Sequence, residues 1–179
     1  MWAKIEDASI TGLIPRPKSL TIGDVQYPHN IFGLWSVSEL EAIGIYEVTI
    51  DYTNLKDNDY YQNTDITYAY ASGSVTGTYG TATAKDLATL KGRHKELINR
   101  EAYSNLQDSD WLVIRAAEGG TAVPSAWTTY RAAVRTKSGD METLIDAAAN
   151  VDALAALYVY NEDDPPTRPL GEWPEKPAG

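Results

Sequence analysis

Apolar and polar residues follow different patterns in three parts of the chain. In several segments of residues 1–82 the apolar positions alternate with polar ones, which is the period of strands that bury one face. Over residues 83–160 apolar residues recur every three or four positions, which is typical of amphipathic helices. Residues 161–179 hold five of the nine prolines, which exclude a helix there. The pattern predicts an α+β protein with a mainly antiparallel β-rich domain over 1–82, a helical domain over 83–160 and an extended tail over 161–179.

Two hairpins are predicted in the β-rich part. The first runs over residues 2–14 with its turn at residues 6–9, and the second runs over residues 66–79 with its turn at Ser72-Gly73. Residues 45–52 alternate well enough to form a further strand.

A short helix is predicted between the first hairpin and this strand. Ser36 and Glu39 have the spacing of a capping box, in which each side chain accepts a hydrogen bond from the other residue's backbone. Leu40 and Ile43 should then face inward, and Gly44 should end the helix.

The helical part should begin with a long helix that starts near Thr83 or Lys85. Its apolar stripe consists of Leu87, Leu90, His94, Leu97 and Ile98. A short helix capped by Asp108 should follow and end at Gly119-Gly120. A strand over residues 112–114 is an alternative, because these residues are β-prone.

A further helix should begin near Pro124, since proline suits the first helical turn. We expect Ser138-Gly139-Asp140 to break this helix and Met141 to begin the next apolar stripe. Residues 151–158 either continue that stripe or form a separate short helix after Asn150.

Charge and composition exclude several classes of function. The chain has 179 residues, a net charge of −10 and no cysteine, so disulfides, cysteine zinc sites and cysteine nucleophiles are excluded. A sequence pI of about 4.6 argues against binding to nucleic acid or to an anionic membrane. The sequence contains no apolar run long enough to span a bilayer and no secretory signal at its start.

No residues stand out for catalysis, for a cofactor or for a metal ion. His29 and His94 are the only histidines. His29 has no carboxylate nearby in the sequence, and His94 on the apolar stripe is interpreted as a partly buried structural residue, so a zinc site is not predicted. The run Asp57-Asn58-Asp59 lacks the glycine and the spaced glutamate of a calcium loop. The glycines of the second hairpin do not have the spacing of a phosphate-binding loop. We therefore predict a protein that is not an enzyme.

The tyrosines are concentrated in the β-rich part, which holds eight of the twelve. Tyr68 and Tyr70 alternate along the second predicted hairpin, where an apolar ring with a polar tip suits a half-exposed sheet face. They form either a contact surface or ordinary sheet packing, and stacking against a glycan is a third interpretation.

A group of aromatic and arginine residues lies in the helical part. Ser109-Asp110-Trp111 is followed, after a glycine-containing link and Pro124, by Trp127-x-x-Tyr130-Arg131-x-x-x-Arg135. The two indoles could clamp neighbouring helices, and the two arginines, one turn apart, could pair with Asp110 or Glu118. These residues are either the small core of a helical hairpin or anchors for a partner chain. In the tail, Leu170 and Trp173 could dock the extended chain onto a surface, including the exposed surface of a partner.

This arrangement resembles the tail assembly chaperone and tail-fibre assembly families of tailed bacteriophages, over about residues 93–137. The resemblance implies a non-enzymatic protein without cofactor that contacts phage tail or tail-fibre proteins in the host cytoplasm during assembly or in the virion tail. The chain could also form a homo-oligomer. The alternative is a permanent virion subunit of the fibre, baseplate or decoration type, with its sheet contacting a receptor or glycan.

Overall fold

The computed structural model describes residues 1–177 and contains two compact units. The first unit comprises Met1–Thr83 and is built mainly from strands, whereas the second begins at Ala84 and is built from helices. This arrangement confirms the predicted α+β class. Residues 178 and 179 of the predicted tail lie outside the described residues, and residues 161–177 belong to the helical unit.

Among its described residues the first unit contains eight strands and two short helices, and a ninth strand of two residues crosses the boundary at Thr83. The strands are β1 (Trp2–Glu6), β2 (Ser9–Ile14), β3 (Leu20–Ile22), β4 (Val25–Tyr27), β5 (Ile45–Asp51), β6 (Tyr61–Gln62), β7 (Ile66–Ala71), β8 (Ser74–Tyr79) and β9 (Thr83–Ala84). The helices are α1 (Ile31–Leu34) and α2 (Val37–Ala42).

A five-stranded sheet in the order β2-β1-β5-β8-β7 forms the body of this unit. Its neighbouring strands are antiparallel except for β5 and β8, which run parallel, with Val48 opposite Val75. The parallel pair arises because β8, the second strand of its hairpin, lies between β5 and β7. The edge strands β2 and β7 approach each other, so the sheet curls around Ala3, Val48 and Val75.

Both predicted hairpins are confirmed, as β1–β2 and β7–β8. Their two central turn residues have positive φ, at Asp7 (50°) and Ala8 (58°) in the first and at Ser72 (51°) and Gly73 (78°) in the second. Two consecutive residues with positive φ are the mark of the turn whose twist matches that of the strands.

The helix after the capping box is also confirmed, as α2. The Ser36 hydroxyl accepts a hydrogen bond from the Glu39 N–H, and the Glu39 carboxylate accepts one from the Ser36 N–H at 2.7 Å. That second hydrogen bond holds the pKa of Glu39 below its ordinary value. Leu40 is buried in a cluster with Ile14, Ile31 and Ile45, which packs the helix against the sheet.

The helical unit contains α3 (Leu87–Gln107), α4 (Asp110–Ala117), α5 (Ser125–Ala147) and α6 (Val151–Ala156). Polar contacts join α3 and α5 as antiparallel neighbours. Lys95 Nζ lies 2.9 Å from Asp146 Oδ1, and Asn99 donates to Glu142 Oε1 at 2.8 Å. The short helix α6 is separate from α5, and the Asn150 side chain caps it by accepting from the Ala153 N–H.

The helical unit begins at Ala84, and its first helix begins at Leu87, within a few residues of the predicted start. Asp86 precedes this helix and accepts the capping hydrogen bond from the Thr89 N–H. Two other predictions about the helices are wrong. Asp108 does not cap the short helix α4, which begins at Asp110 after Ser109.

The expected break at Ser138-Gly139-Asp140 is absent, and α5 is continuous through it. Val134, Met141 and Ile145 are 0% exposed and lie on one stripe of the helix. Their burial outweighs the cost of a helical glycine, which is about 1 kcal/mol relative to alanine.

Gly44 provides a direct test of the packing between α2 and the sheet. Its φ is +80°, and a Cβ there would lie 2.7 Å from the Ile5 carbonyl oxygen. We expect Gly44→Ala to lower the free energy of unfolding by about 2–3 kcal/mol, because the strained backbone and the clash add. Urea denaturation measures the change.

Gly33→Ala is the matched control in the same unit. A Cβ at Gly33 would have no neighbour within 4 Å, so this substitution should alter stability by less than about 1 kcal/mol. Equal losses in the two variants would contradict the assignment of a special role to Gly44.

Candidate interaction surface

The junction of α3, α4 and α5 centres on the guanidinium of Arg131, a residue that is 8% exposed. Its Nη1 donates to the Leu106 carbonyl at 2.9 Å and to the Ser109 hydroxyl at 2.6 Å. Its Nη2 lies 2.8 Å from Asp110 Oδ1. One side chain of α5 therefore ties the end of α3 to the beginning of α4.

Each group around this guanidinium is matched to its positive charge. The Leu106 carbonyl belongs to the last turn of α3, where the negative end of the helix dipole favours a cation. Asp110 contributes the opposite charge. Ser109 is fully buried, and its hydroxyl donates to the Leu106 carbonyl while accepting from Arg131. The buried polar groups at the junction thus satisfy one another.

Tyr130 and Trp127 extend the junction along α5. Tyr130 is 4% exposed, and its hydroxyl donates to Asn105 Oδ1 at 3.2 Å. The ring of Trp127 meets the ring of Tyr130 edge-on, with centroids 5.7 Å apart. Together with Val134 they form the cluster that faces Ala102 on α3. The Trp-x-x-Tyr-Arg run is therefore an internal packing element.

The C-terminal segment lies against this cluster. The indole N–H of Trp173 donates to Glu101 Oε2 at 2.8 Å, and its ring packs on the cluster of Tyr130 and Val134. Lys176 pairs with Asp108, and its ammonium lies 5.8 Å from the centre of the Trp127 ring. No helix or strand is present in residues 157–177.

One side of α4 remains exposed. Trp111 and Ile114 are each 58% exposed, and the Arg115 guanidinium lies 4.8 Å from the centre of the Trp111 ring. We call these three residues the α4 face. The expectation that Trp111 clamps two helices is therefore wrong, since its indole meets an arginine of its own helix and solvent.

Arg135 is also exposed, and the expected pairing with Asp110 or Glu118 is wrong for this residue. Asp110 is paired with Arg131, one turn earlier on α5. The only hydrogen bond of Arg135 among the described residues is from Nη1 to the Arg131 carbonyl, at 3.4 Å. The motif thus divides into a buried arginine that holds the junction and an exposed one beside it.

Tyr68 and Tyr70 lie half-buried on the sheet of the first unit. The Tyr70 ring is 5.0 Å from the Tyr46 ring, and the hydrogen bond between their side chains raises the pKa of Tyr46. Tyr68 covers Gly77, where a Cβ would lie 2.8 Å from its ring. Sheet packing accounts for the alternation of both residues.

The described residues offer little for metal chemistry. No group of three histidine, aspartate or glutamate side chains among residues 1–177 is placed to hold a metal ion. His94 lies on α3 with its ring 4.6 Å from that of Tyr158, in the half-buried position of a packing residue. Within the same residues, no helix combines the length and apolar character needed to cross a membrane.

Comparisons of the chain with models of protein families, with curated proteins and with solved structures found no match.

The junction contains functional partners that sequence reasoning missed. Ser109 and Asn105 supply the buried hydroxyl and amide oxygen that Arg131 and Tyr130 need, and Glu101 receives the Trp173 indole. Ser109 directly precedes the Asp-Trp pair, so its place in the motif was a usable signal. Asn105 and Glu101 carry no such signal, because both resemble ordinary polar positions of a helix.

Loss of the Arg131 side chain should be costly. We expect Arg131→Ala to lower the free energy of unfolding by about 2–4 kcal/mol, because it removes a charge-assisted hydrogen bond to each of three groups and leaves a cavity at the junction. Arg131→Lys should recover only part of the loss, since an ammonium cannot reproduce the fork. Chemical denaturation measures both values.

Arg135→Ala is the matched control on the next turn of α5. Its guanidinium has one long hydrogen bond and no ion pair among the described residues, so the change should be less than about 0.5 kcal/mol. If Arg135→Ala lowered the free energy of unfolding as much as Arg131→Ala, burial would not explain the contribution of Arg131 to stability.

Proposed function

We propose that this chain is a non-enzymatic protein that assists or joins the assembly of a phage tail or tail fibre through protein–protein contacts. The observation that carries the proposal is the α4 face, where a tryptophan and an isoleucine are each 58% exposed beside an arginine. Tryptophan and arginine are the residues most often found as energetic anchors of protein interfaces. Exposed apolar groups of this kind are typical of surfaces that a partner covers.

The Arg131 junction supports the same proposal, because it holds α4 in one orientation. Asp110 at the start of α4 is bonded to the buried guanidinium, and Leu112 packs inward at 6% exposure. A face that is already ordered loses less conformational entropy on binding than a flexible one. The α4 face is therefore suited to presenting its anchors to a partner without rearrangement.

The partner class rests on the resemblance to phage tail assembly proteins. The residues that carry this resemblance are mostly inside the junction, so they support a shared scaffold, and the exposed α4 face is the part that reaches a partner. The net charge of −10 opposes non-specific association among unassembled copies. Specific apolar contacts then select the partner.

Co-expression with tail-fibre chains from the same genome tests the proposal. We expect the wild-type chain to raise the yield of soluble fibre and to co-purify with it. The double substitution Trp111→Ala, Ile114→Ala should reduce co-purification at least tenfold, which corresponds to about 1.4 kcal/mol. Its stability should change little, because both side chains are mainly exposed.

Tyr103→Ala is the matched control, since Tyr103 is 65% exposed on a different helix, α3. Co-purification should survive this change. If no tail-fibre chain gains solubility with the wild-type protein, the assembly role fails. Mass spectrometry of purified particles then separates a transient helper from a virion subunit, which alone would be present in stoichiometric amount.

A further inference from the structure

We propose that the groove between α3 and α5 is a recognition site for an extended, proline-containing segment, and that a second copy of this chain can supply that segment in place of the chain's own residues 170–176. The recognition elements are Trp173 and Lys176, and the buried Leu170, whose N–H donates to the Leu157 carbonyl, fixes the chain three residues before Trp173. This inference does not depend on the partner of the α4 face.

On the α3 side, the segment runs in the same direction as the helix. Trp173 bonds to Glu101, and Lys176 pairs with Asp108. Seven helical residues advance about 10.5 Å along the axis at about 1.5 Å each. Three extended residues advance about 9–10 Å at about 3.1 Å each in a polyproline-like chain. The two spacings agree, so an extended backbone brings both anchors to their partners.

On the α5 side, the segment runs antiparallel to the helix, and the spacing of its contacts again matches that of the helix. Gly171 lies so close to Lys137 that a Cβ there would clash with the Lys137 ammonium, and Lys176 lies over the Trp127 ring. Ten helical residues advance about 15 Å, and five extended residues advance about 15–16 Å. The contact spacings of the segment therefore match those of both helices, as expected for an extended peptide that lies in the groove between them.

The groove provides chemistry suited to such a peptide. Aromatic side chains line it at Trp127 and Tyr130, and acidic side chains flank it at Glu101 and Asp108. Aromatic-lined grooves favour proline-rich segments, which lose little entropy because they are extended before binding. Acidic flanks select the indole N–H and the lysine ammonium, so the groove accepts this sequence through specific contacts.

The segment is held at separate anchors and is not packed along its whole length. A cleft of about 370 Å³ remains between it and α5, lined by residues that include Thr136, Asp140 and Pro174. Leu170 is 0% exposed, whereas Glu172 and Glu175 between the anchors are exposed. A segment that is held at separate contacts can be replaced, one contact at a time, by the identical segment of a second copy.

The chain that leads to the segment is long enough for exchange between copies. Residues 158–169 contain no helix or strand, and twelve residues can span up to about 40 Å when extended. Within one chain the segment competes at an effective concentration in the millimolar range. Exchange of segments between copies is therefore favoured when the protein is concentrated or when one copy's own segment binds weakly.

A labelled peptide of residues 166–177 tests the groove in the full-length protein. We expect Trp173→Ala in the protein to strengthen peptide binding at least tenfold relative to wild type, because the competing segment is weakened. A peptide that carries Trp173→Ala should bind neither protein. Fluorescence anisotropy gives the affinities, and circular dichroism verifies that the variant is folded.

Complementation tests the second copy. Trp173→Ala retains a functional groove, and the double variant Glu101→Lys, Asp108→Lys retains a functional segment. We expect each variant to be monomeric alone and the mixture to form a 1:1 complex in analytical ultracentrifugation. Should Trp173→Ala fail to fold, Lys176→Glu replaces it, since this exposed change repels Asp108 without opening the core.

Two results would overturn the proposal. Peptide binding that is absent from wild type and from the folded variants alike would mean that the groove does not recognise the segment in trans. Peptide binding without complex formation in the mixture would mean that the segment serves only its own chain. Neither result bears on the α4 face, whose variants leave the groove unchanged.

Discussion

A single buried cation organises the helical unit. The Arg131 guanidinium donates to the Leu106 carbonyl at the end of α3 and to the buried hydroxyl of Ser109, and it pairs with the carboxylate of Asp110 that opens α4. These three groups belong to a tight connection between helices, where the chain changes direction within a few residues. A buried charge is stable only when it is paired and hydrogen-bonded, and the Nη1 and Nη2 contacts of Arg131 therefore favour one direction of α4.

Fixing α4 also decides which surfaces of the unit are open. On the inside of the junction, Trp127 and Tyr130 are covered by the chain's own C-terminal segment. On the outside, Trp111 is left with Arg115 and solvent. Aromatic and arginine residues thus have opposite roles within one motif. The buried members form the support, and the exposed members are available to a partner.

Much of the local structure could be predicted from the residues alone. The Ser72-Gly73 turn, the Ser36–Glu39 capping box and the proline at the start of α5 each act within a few residues, and all three were recognised. The failures involve contacts between distant residues. Gly139 is helical because Val134 and Met141 are buried, and the hairpin β3–β4 was missed because strands of three residues have no readable period.

The same division holds for the candidate site. The sequence predicted a helix from Pro124 and favoured a short helix before it, and it placed a tryptophan, tyrosine and arginine group on them, because periodicity is a property of the chain itself. Only the tertiary structure decided that Arg131 is buried while Arg135 is exposed, and that Trp127 is covered while Trp111 is not. Residues of the same type have the same intrinsic preference for burial. Which of them is buried depends on where α3 and the C-terminal segment lie, and those positions are set by contacts between residues far apart in the chain.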